Sequence, residues 1–324
     1  MGVQERPAVD PDQEKLFAYM SGRYWGVDLG GTKIEAVITD SEMRALYRRR
    51  IYTEASFGYE HITARIVGLL EELSNQSGFP LPRRIGIGTP GRYDKVSGSI
   101  SNSNTLCLNG RNLKKDIESL LQREVLIGND ANCFVLAESL LGAGRKIMQS
   151  GEGRVAFGMI IGTGVGGGIV ADGRLLHGAH GIAGEWGHNV LIPDGEQCYC
   201  GKKGCVETVI SGPALERHYR SLTGCSKSLQ EIAGLTGVDA AAEATISRLT
   251  GYFAKAVASV LNIVDPHCCF IGGGAGNIGM LYTEDTRRLI EGSLFSSRLM
   301  VPFLQPQLGD SAGVFGAALL TVEK

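Results

Sequence analysis

One pattern occurs twice in this chain and restricts what it can fold into. An apolar run, a glycine turn and a second apolar run appear as YWGVDLGGTKIEAVITD from Tyr24 and again as VAFGMIIGTGVGGGIVAD from Val155. Thr32 and Thr163 hold matching places in the two turns. Apolar runs flanking a glycine turn read as hairpins of buried strands. Elsewhere the spacing is helical, as in Ile62, Ile66, Leu69, Leu70 and Leu73. RRIGIGTPG reads as a strand ending on Gly and Pro, LKKDIESLLQRE as a helix, VLIGND as a strand and ANCFVLAESLLGAG as a helix stopped by glycine. Residues 228–265 read as largely helical, CCFIGGGAG as a strand turning on glycine toward a helix near Leu281, and GDSAGVFGAALLTV as a terminal helix. Strands alternating with helices make the class α/β. The repetition implies two related domains: a polar tail over 1–22, a first domain over 23–132 joined by the terminal helix 310–324, and a larger second domain over 133–309.

Glycine supplies 46 of the 324 residues, about twice the usual share of roughly 7%. With only 10 prolines and no Gly-X-Y period, the surplus belongs neither to a low-complexity chain nor to collagen. The glycines cluster instead at the motif turns. A hydrophobic fraction of 43% and a charged fraction of 20% describe a folded globular protein. The net charge of -2, with no Lys/Arg cluster that stands out, argues against electrostatic capture of nucleic acid or of an anionic membrane. The opening segment is charged throughout and has no apolar signal-peptide region. The uncharged stretch Val155 to Ala171 is broken by six glycines and fails as a membrane span. A cytoplasmic location is expected.

The first turn, Asp28-Leu29-Gly30-Gly31-Thr32-Lys33, can be a tight hairpin or a phosphate site, since glycines let backbone N–H groups approach an anion closely. It is no P-loop, because GxxxxGK[ST] is absent from the chain. The second, Gly162-Thr163-Gly164-Val165-Gly166-Gly167-Gly168, contains GxGxxG only formally: a strand follows it, where a dinucleotide fingerprint needs a helix. Two such loops, one per domain, could close on one polyphosphate. Gly272-Gly273-Gly274 permits close helix packing or a flat backbone surface for a purine. Asn129-Asp130 ends a strand and opens a helix; Asp there is either an N-cap or a catalytic group at a strand's carboxyl end. The sharpest local signal is His188-x9-Cys198-x-Cys200-Gly-x-x-Gly-Cys205, three Cys and one His in a single short stretch. Four protein ligands complete a tetrahedral, structural zinc site. Glu185 lies just before His188 and Glu207 just after Cys205, so the metal loop would carry both carboxylates. Cys107, Cys133, Cys225, Cys268 and Cys269 lack ligand spacing.

Together these residues resemble the ROK (repressor, open reading frame, kinase) family of sugar kinases and regulators, from about Tyr24 to Ala318. DLGGTK is similar to its first phosphate loop, IGTGVGGG to its second, IGGG to its adenosine segment, NDAN to its catalytic segment, and GEWGH with CYCGKKGCVET to its zinc signature. The resemblance implies an actin-like, hexokinase-like (RNase H-like) ATPase fold with a cleft between its two domains. It implies transfer of the ATP γ-phosphoryl to a hexose, with Asp130 as general base. Asn104, Asn129, Glu185, His188 and Glu207 would hold sugar hydroxyls. Asp28, Gly30, Gly31, Thr32, Lys33, Gly162, Thr163, Gly164, Gly166, Gly272, Gly273 and Gly274 would hold Mg²⁺ and ATP, and His188, Cys198, Cys200 and Cys205 the structural zinc. His188 would turn one ring nitrogen to the metal and the other to the sugar. GEWGHN, with Trp186 and Asn189 flanking Glu185 and His188, resembles the fructokinase (mannokinase) branch, so fructose is the expected substrate, with N-acetylglucosamine or glucose as alternatives. The family's sugar-sensing repressors carry an N-terminal DNA-binding domain; only the short polar tail precedes the first strand here, which favours the kinase. Homodimers are common in the family and one is expected.

Overall fold

The computed structural model describes residues 22–296 and 298–322; the tail expected over 1–22 lies outside them but for Gly22. The chain forms two compact units. One holds the described residues up to Gly128 and those from Ala317 onward; the other is Asn129–Gly316.

In the first unit, β1 (Tyr24–Leu29) and β2 (Lys33–Thr39) form an antiparallel hairpin that pairs Asp28 with Glu35 and Leu29 with Ile34. The strand β3 (Ala45–Tyr52) continues the meander on the far side of β2. Helix α1 (Tyr59–Ser77) buries Ile62, Ile66, Leu69, Leu70 and Leu73, the face its spacing predicts, and stops at left-handed Gly78. Then β4 (Arg84–Thr89) pairs parallel with β1. A short ribbon of β5 (Arg92–Tyr93) and β6 (Ile100–Ser101) follows. Helix α2 (Leu113–Leu121) is capped by the Asn112 side chain, which accepts the Lys115 N–H. The strand β7 (Glu124–Asn129) completes a five-stranded sheet ordered β3-β2-β1-β4-β7. β1 and β2 are buried almost throughout, which is why both read as continuous apolar runs.

The second unit opens with α3 (Asp130–Leu140) and the short α4 (Arg145–Met148). The hairpin of β8 (Val155–Ile161) and β9 (Val165–Ala171) pairs Ile161 with Val165 across the glycine turn, and β10 (Arg174–Leu175) extends it. Helices α5 (Val206–Ile210), α6 (Gly212–Thr223), α7 (Leu229–Gly234) and the long α8 (Ala240–Val264) follow. The strand β11 (Cys268–Gly272) runs parallel to β8, then come α9 (Glu284–Glu291), β12 (Phe303–Leu304) and α10 (Ala312–Leu319). The sheet order is β10-β9-β8-β11-β12. The duplication seen in the sequence thus becomes topological. In each unit the first strand of the hairpin is central, with its antiparallel partner on one side and a parallel strand, β4 or β11, on the other.

Three expected boundaries differ. The division falls at Gly128/Asn129 instead of 132/133, because Asn129 accepts the Ala131 and Asn132 N–H groups and so belongs to α3. It also passes through α10 between Gly316 and Ala317. The helix expected near Leu281 begins at Glu284, capped by Thr283; before it, Gly274–Asn277 and Gly279–Tyr282 form tight 3-10 turns, braced by the Tyr282 hydroxyl donating to Gly276 O at 3.0 Å. No helix among the described residues is long and apolar enough to cross a membrane.

Candidate active site and metal centre

The first glycine turn closes through Gly30 N–H to Lys33 O at 2.9 Å. Thr53, just past β3, braces it: its hydroxyl donates to Gly30 O at 2.7 Å and its N–H to Thr32 O at 2.8 Å. Gly31, Thr32 and Lys33 stand exposed at the tip, and Asp28 is half-buried at the end of β1. Thr105 lies beside this loop in the same unit. Its buried hydroxyl has no hydrogen-bond partner and lies 3.5 Å from where a Gly31 Cβ would stand. Asn104, immediately before it, is exposed.

The second glycine turn closes through Gly162 N–H to Gly164 O at 2.9 Å and exposes Thr163. At the third segment, Gly272 ends β11 and Gly273 takes a left-handed backbone with φ 75. A Cβ on Gly273 would stand 2.5 Å from Ile161 O, so the glycine run is fixed here by close approach of backbone.

At the start of α3 the cap is Asn129, and Asp130 is the first helical residue. The N-cap therefore sits one residue before the aspartate: Asn129 Oδ1 accepts the Ala131 N–H at 2.8 Å and the Asn132 N–H at 3.3 Å. Asp130 Oδ1 also accepts the Ala131 N–H at 2.8 Å. Asp130 is exposed at the start of α3, and desolvation by the surrounding protein raises its carboxyl above the usual carboxylate value. The Ala131 N–H and the Asn129 amide work in the opposite direction and only partly offset it.

The four expected ligands come together. The ligand atoms of His188, Cys198, Cys200 and Cys205 all lie within 4.8 Å of one another. Cys198 Sγ is 3.6 Å from His188 Nδ1, and Cys200 Sγ is 3.6 Å from Cys205 Sγ. Zinc–ligand lengths in a tetrahedron require edges of about 3.6 Å for N···S and about 3.8 Å for S···S. The donor set therefore fits zinc in kind, and these two separations match the tetrahedral edges. Cys198 and Cys205 are buried, and the Cys205 thiol is pushed up to about 12, first by desolvation and then by the neighbouring thiols. Gly201 and Gly204, both left-handed, turn the loop between the ligands.

The other ring nitrogen of His188 meets a protein neighbour. Nε2, expected to meet a sugar hydroxyl, lies 3.0 Å from the Tyr199 hydroxyl, with the rings edge to face. With a metal on Nδ1, Nε2 would be left to carry the proton and donate to Tyr199. Tyr199 lies between two ligands in sequence, where nothing but its loop position marks it. Glu185 precedes the 3-10 turn Trp186–His188 and is half-buried. Glu207, on α5, accepts the Val165 N–H at 2.9 Å. The structure thus gathers His188, Tyr199, Glu207 and the second glycine loop within one unit. The first loop and Asn104 belong to the other.

Against known proteins, the profile described as ROK family matches residues 24–324. The N-acetyl-D-glucosamine kinase of Photobacterium profundum is 36% identical over 313 residues, covering 93% of this chain and 100% of that protein. Among solved structures, a ROK hexokinase from Thermus thermophilus is 30% identical with a TM-score of 0.78, covering 92% of this chain and 97% of that one. A ROK family glucokinase from Streptomyces griseus, in complex with glucose and AMPPNP, is 29% identical with a TM-score of 0.73, covering 92% and 98%. The mixed sheets are those of the hexokinase-like fold, and the chain belongs to the ROK family of sugar kinases and their relatives.

Proposed function

We propose that this protein is an ATP-dependent kinase whose substrate is N-acetyl-D-glucosamine, phosphorylated on a hydroxyl by the γ-phosphoryl group. The observation that carries this reading is the 36% identity, over 93% of this chain, with an N-acetyl-D-glucosamine kinase. It replaces fructose, the first expectation, by the alternative weighed beside it. The fructose reading leaned on Trp186 and Asn189. Trp186 is accounted for without a sugar: its indole N–H donates to Gly166 O at 2.8 Å.

Phosphoryl transfer is largely positioning and charge stabilisation. Asp130 is assigned the proton of the attacking sugar hydroxyl. Its raised pKa brings it closer to the range in which a carboxylate is an effective base. Asn104, Asn129, Glu185 and Glu207 are assigned to the remaining sugar groups, with Tyr199 placed to relay from His188. The loops at Gly30–Lys33 and Gly162–Gly166 hold the phosphates through backbone N–H groups and the hydroxyls of Thr32 and Thr163. Gly272–Gly274 receives the adenosine. Asp28 would hold Mg²⁺ bound with the nucleotide, which would neutralise phosphate charge. His188, Cys198, Cys200 and Cys205 would hold zinc, which would cross-link the loop.

A coupled ADP-release assay over N-acetylglucosamine, N-acetylmannosamine, glucose, mannose and fructose tests the reading. The highest kcat/KM is expected with N-acetylglucosamine. A higher value with fructose would restore the first expectation. Tight sugar binding with no turnover on any of the five would point to a sugar-sensing regulator instead.

A further inference from the structure

The second glycine loop and the Cys/His loop are tied together by contacts that neither a hairpin turn nor metal binding requires. Glu207, just beyond the ligand Cys205, reaches back 42 residues to accept the Val165 N–H at 2.9 Å. Trp186, just before the ligand His188, donates its indole N–H to Gly166 O at 2.8 Å, and its ring packs edge to face on Phe157 of β8. Gly212, at the start of α6, donates its N–H to Gly162 O at 2.8 Å. Gly187 lies so close to the Val165 carbonyl that no side chain fits there. These fixed points of the loop are thus supplied by the segment that carries the metal ligands and runs on into α6.

We propose that Glu207 and Trp186 are positioning residues that lock the second glycine loop onto the metal-bearing loop, so that nucleotide affinity depends on how that loop is folded. The proposal rests on reading residues 162–168 as a phosphate loop. A phosphate site built of backbone N–H groups binds through their prior alignment. A loop rich in glycine keeps that alignment only when something else holds it. The carboxylate of Glu207 is such a hold, since a charge-assisted bond to a backbone N–H is among the stronger hydrogen bonds in proteins. This gives Glu207 a task apart from the sugar contact that its place in the sequence implied.

The test measures AMPPNP affinity by calorimetry and zinc content by elemental analysis on the same preparations. Glu207→Ala should raise the AMPPNP Kd about 10-fold, the size of one lost hydrogen bond to a charged group, with zinc unchanged. Glu207→Gln keeps a carbonyl for the Val165 N–H and should return most of that affinity. Trp186→Phe keeps the ring against Phe157 and loses only the N–H, so a smaller rise is expected. Gly164→Ala offers an independent route, since its Cβ would stand 2.6 Å from Glu207 Oε2 and push that side chain off. Its effect should match that of Glu207→Ala, and the double variant should be no worse than either alone.

An unchanged AMPPNP Kd in Glu207→Ala, with weakened sugar binding, would make Glu207 a sugar ligand only and overturn the inference. Zinc loss in that variant would assign Glu207 to the folding of the metal loop and overturn it as well. Failure of the phosphate-loop reading itself looks different. A side chain on Gly162 meets nothing within 4 Å, so Gly162→Val should fold yet bar a phosphate. If it leaves AMPPNP binding unchanged, the loop does not hold the nucleotide at all.

Discussion

The two glycine loops share a sequence pattern and a hairpin, and they are held in different ways. The first is braced from within its own meander: Thr53, one residue past β3, bonds to Gly30 and Thr32. The second has no such neighbour. Its braces, Trp186, Glu207 and Gly212, arrive from a long segment running from β10 into α6 that also carries His188 and three cysteines. The two units therefore share a strand order, and the specialised segment is built onto one of them only. A loop held by its own sheet is as stable as that sheet. One held by an insertion inherits whatever stabilises the insertion. The comparison predicts that the two loops can be perturbed separately.

The largest effect is expected at a residue that holds neither loop. Asp130→Asn should lower kcat by ~10²–10⁴-fold, the usual contribution of a general base, while AMPPNP and sugar affinities stay close to those of the parent. The pH dependence has a definite sign. Desolvation raises the Asp130 carboxyl above its ordinary value of 3.8, and only the ionised form accepts a proton. Activity should fall as pH drops through that raised pKa, so the acid limb of kcat/KM is displaced upward from the ordinary value. Stability runs the other way. The fold disfavours the ionised form, a cost present above the raised pKa and absent below 3.8. Asp130→Asn should therefore melt no lower than the parent at neutral pH, with any gain shrinking as pH falls. Near-normal kcat in the variant would remove Asp130 from its role.

Loss of the metal comes next and should separate the loops. Cys200→Ala, or chelation of the parent, should lower zinc from about one equivalent per chain, the stoichiometry of a closed four-ligand site. Hydrogen exchange should then speed up over 162–168 and over the ligand segment and stay as it was over 28–33, because Thr53 bonds do not pass through the insertion. AMPPNP affinity should fall about tenfold or more, since several bonds to the loop loosen together. Equal acceleration in both loops would mean that they share their support, and the contrast would be gone.

How much of this is legible in the sequence follows from the range of the contacts. Local patterns carry the duplication: the buried runs of β1, β2, β8 and β9, the five-point face of α1 and the strand–helix junction at Asn129-Asp130 are all set by near neighbours in the chain. The Cys/His cluster is legible although it is a tertiary feature, because all four residues fall between His188 and Cys205 and their types are unusual together. The braces are not. Thr53 and Glu207 are ordinary residues whose partners lie 23 and 42 positions away, and no spacing rule connects them. Trp186 stands out in the sequence but points to sugar specificity, because a tryptophan beside a proposed sugar ligand invites that reading when its indole partner is unseen. Tyr199 gives no signal, since its bond to His188 depends on the loop path between the ligands. The exchange of Asp130 for Asn129 as the cap is a one-residue matter, and either side chain could have filled it.

The smallest effect is the sharpest test of the first loop. Thr53 is fully buried, and Val is close to it in shape, so Thr53→Val removes the hydroxyl donated to Gly30 O without opening a cavity. The backbone bond from Thr53 N–H to Thr32 O survives the change, so the loop should loosen without detaching. One neutral hydrogen bond contributes about 1 kcal/mol net, which sets the scale of the expected loss in stability. Hydrogen exchange should quicken at residues 30–33, AMPPNP affinity should weaken modestly, and zinc content should hold. The informative reading is at the other loop. Because β3 and the Cys/His insertion belong to different units, exchange over 162–168 should match the parent. Acceleration there, or any loss of zinc, would show that the first loop's brace also supports the second, and the separation drawn between them would fail.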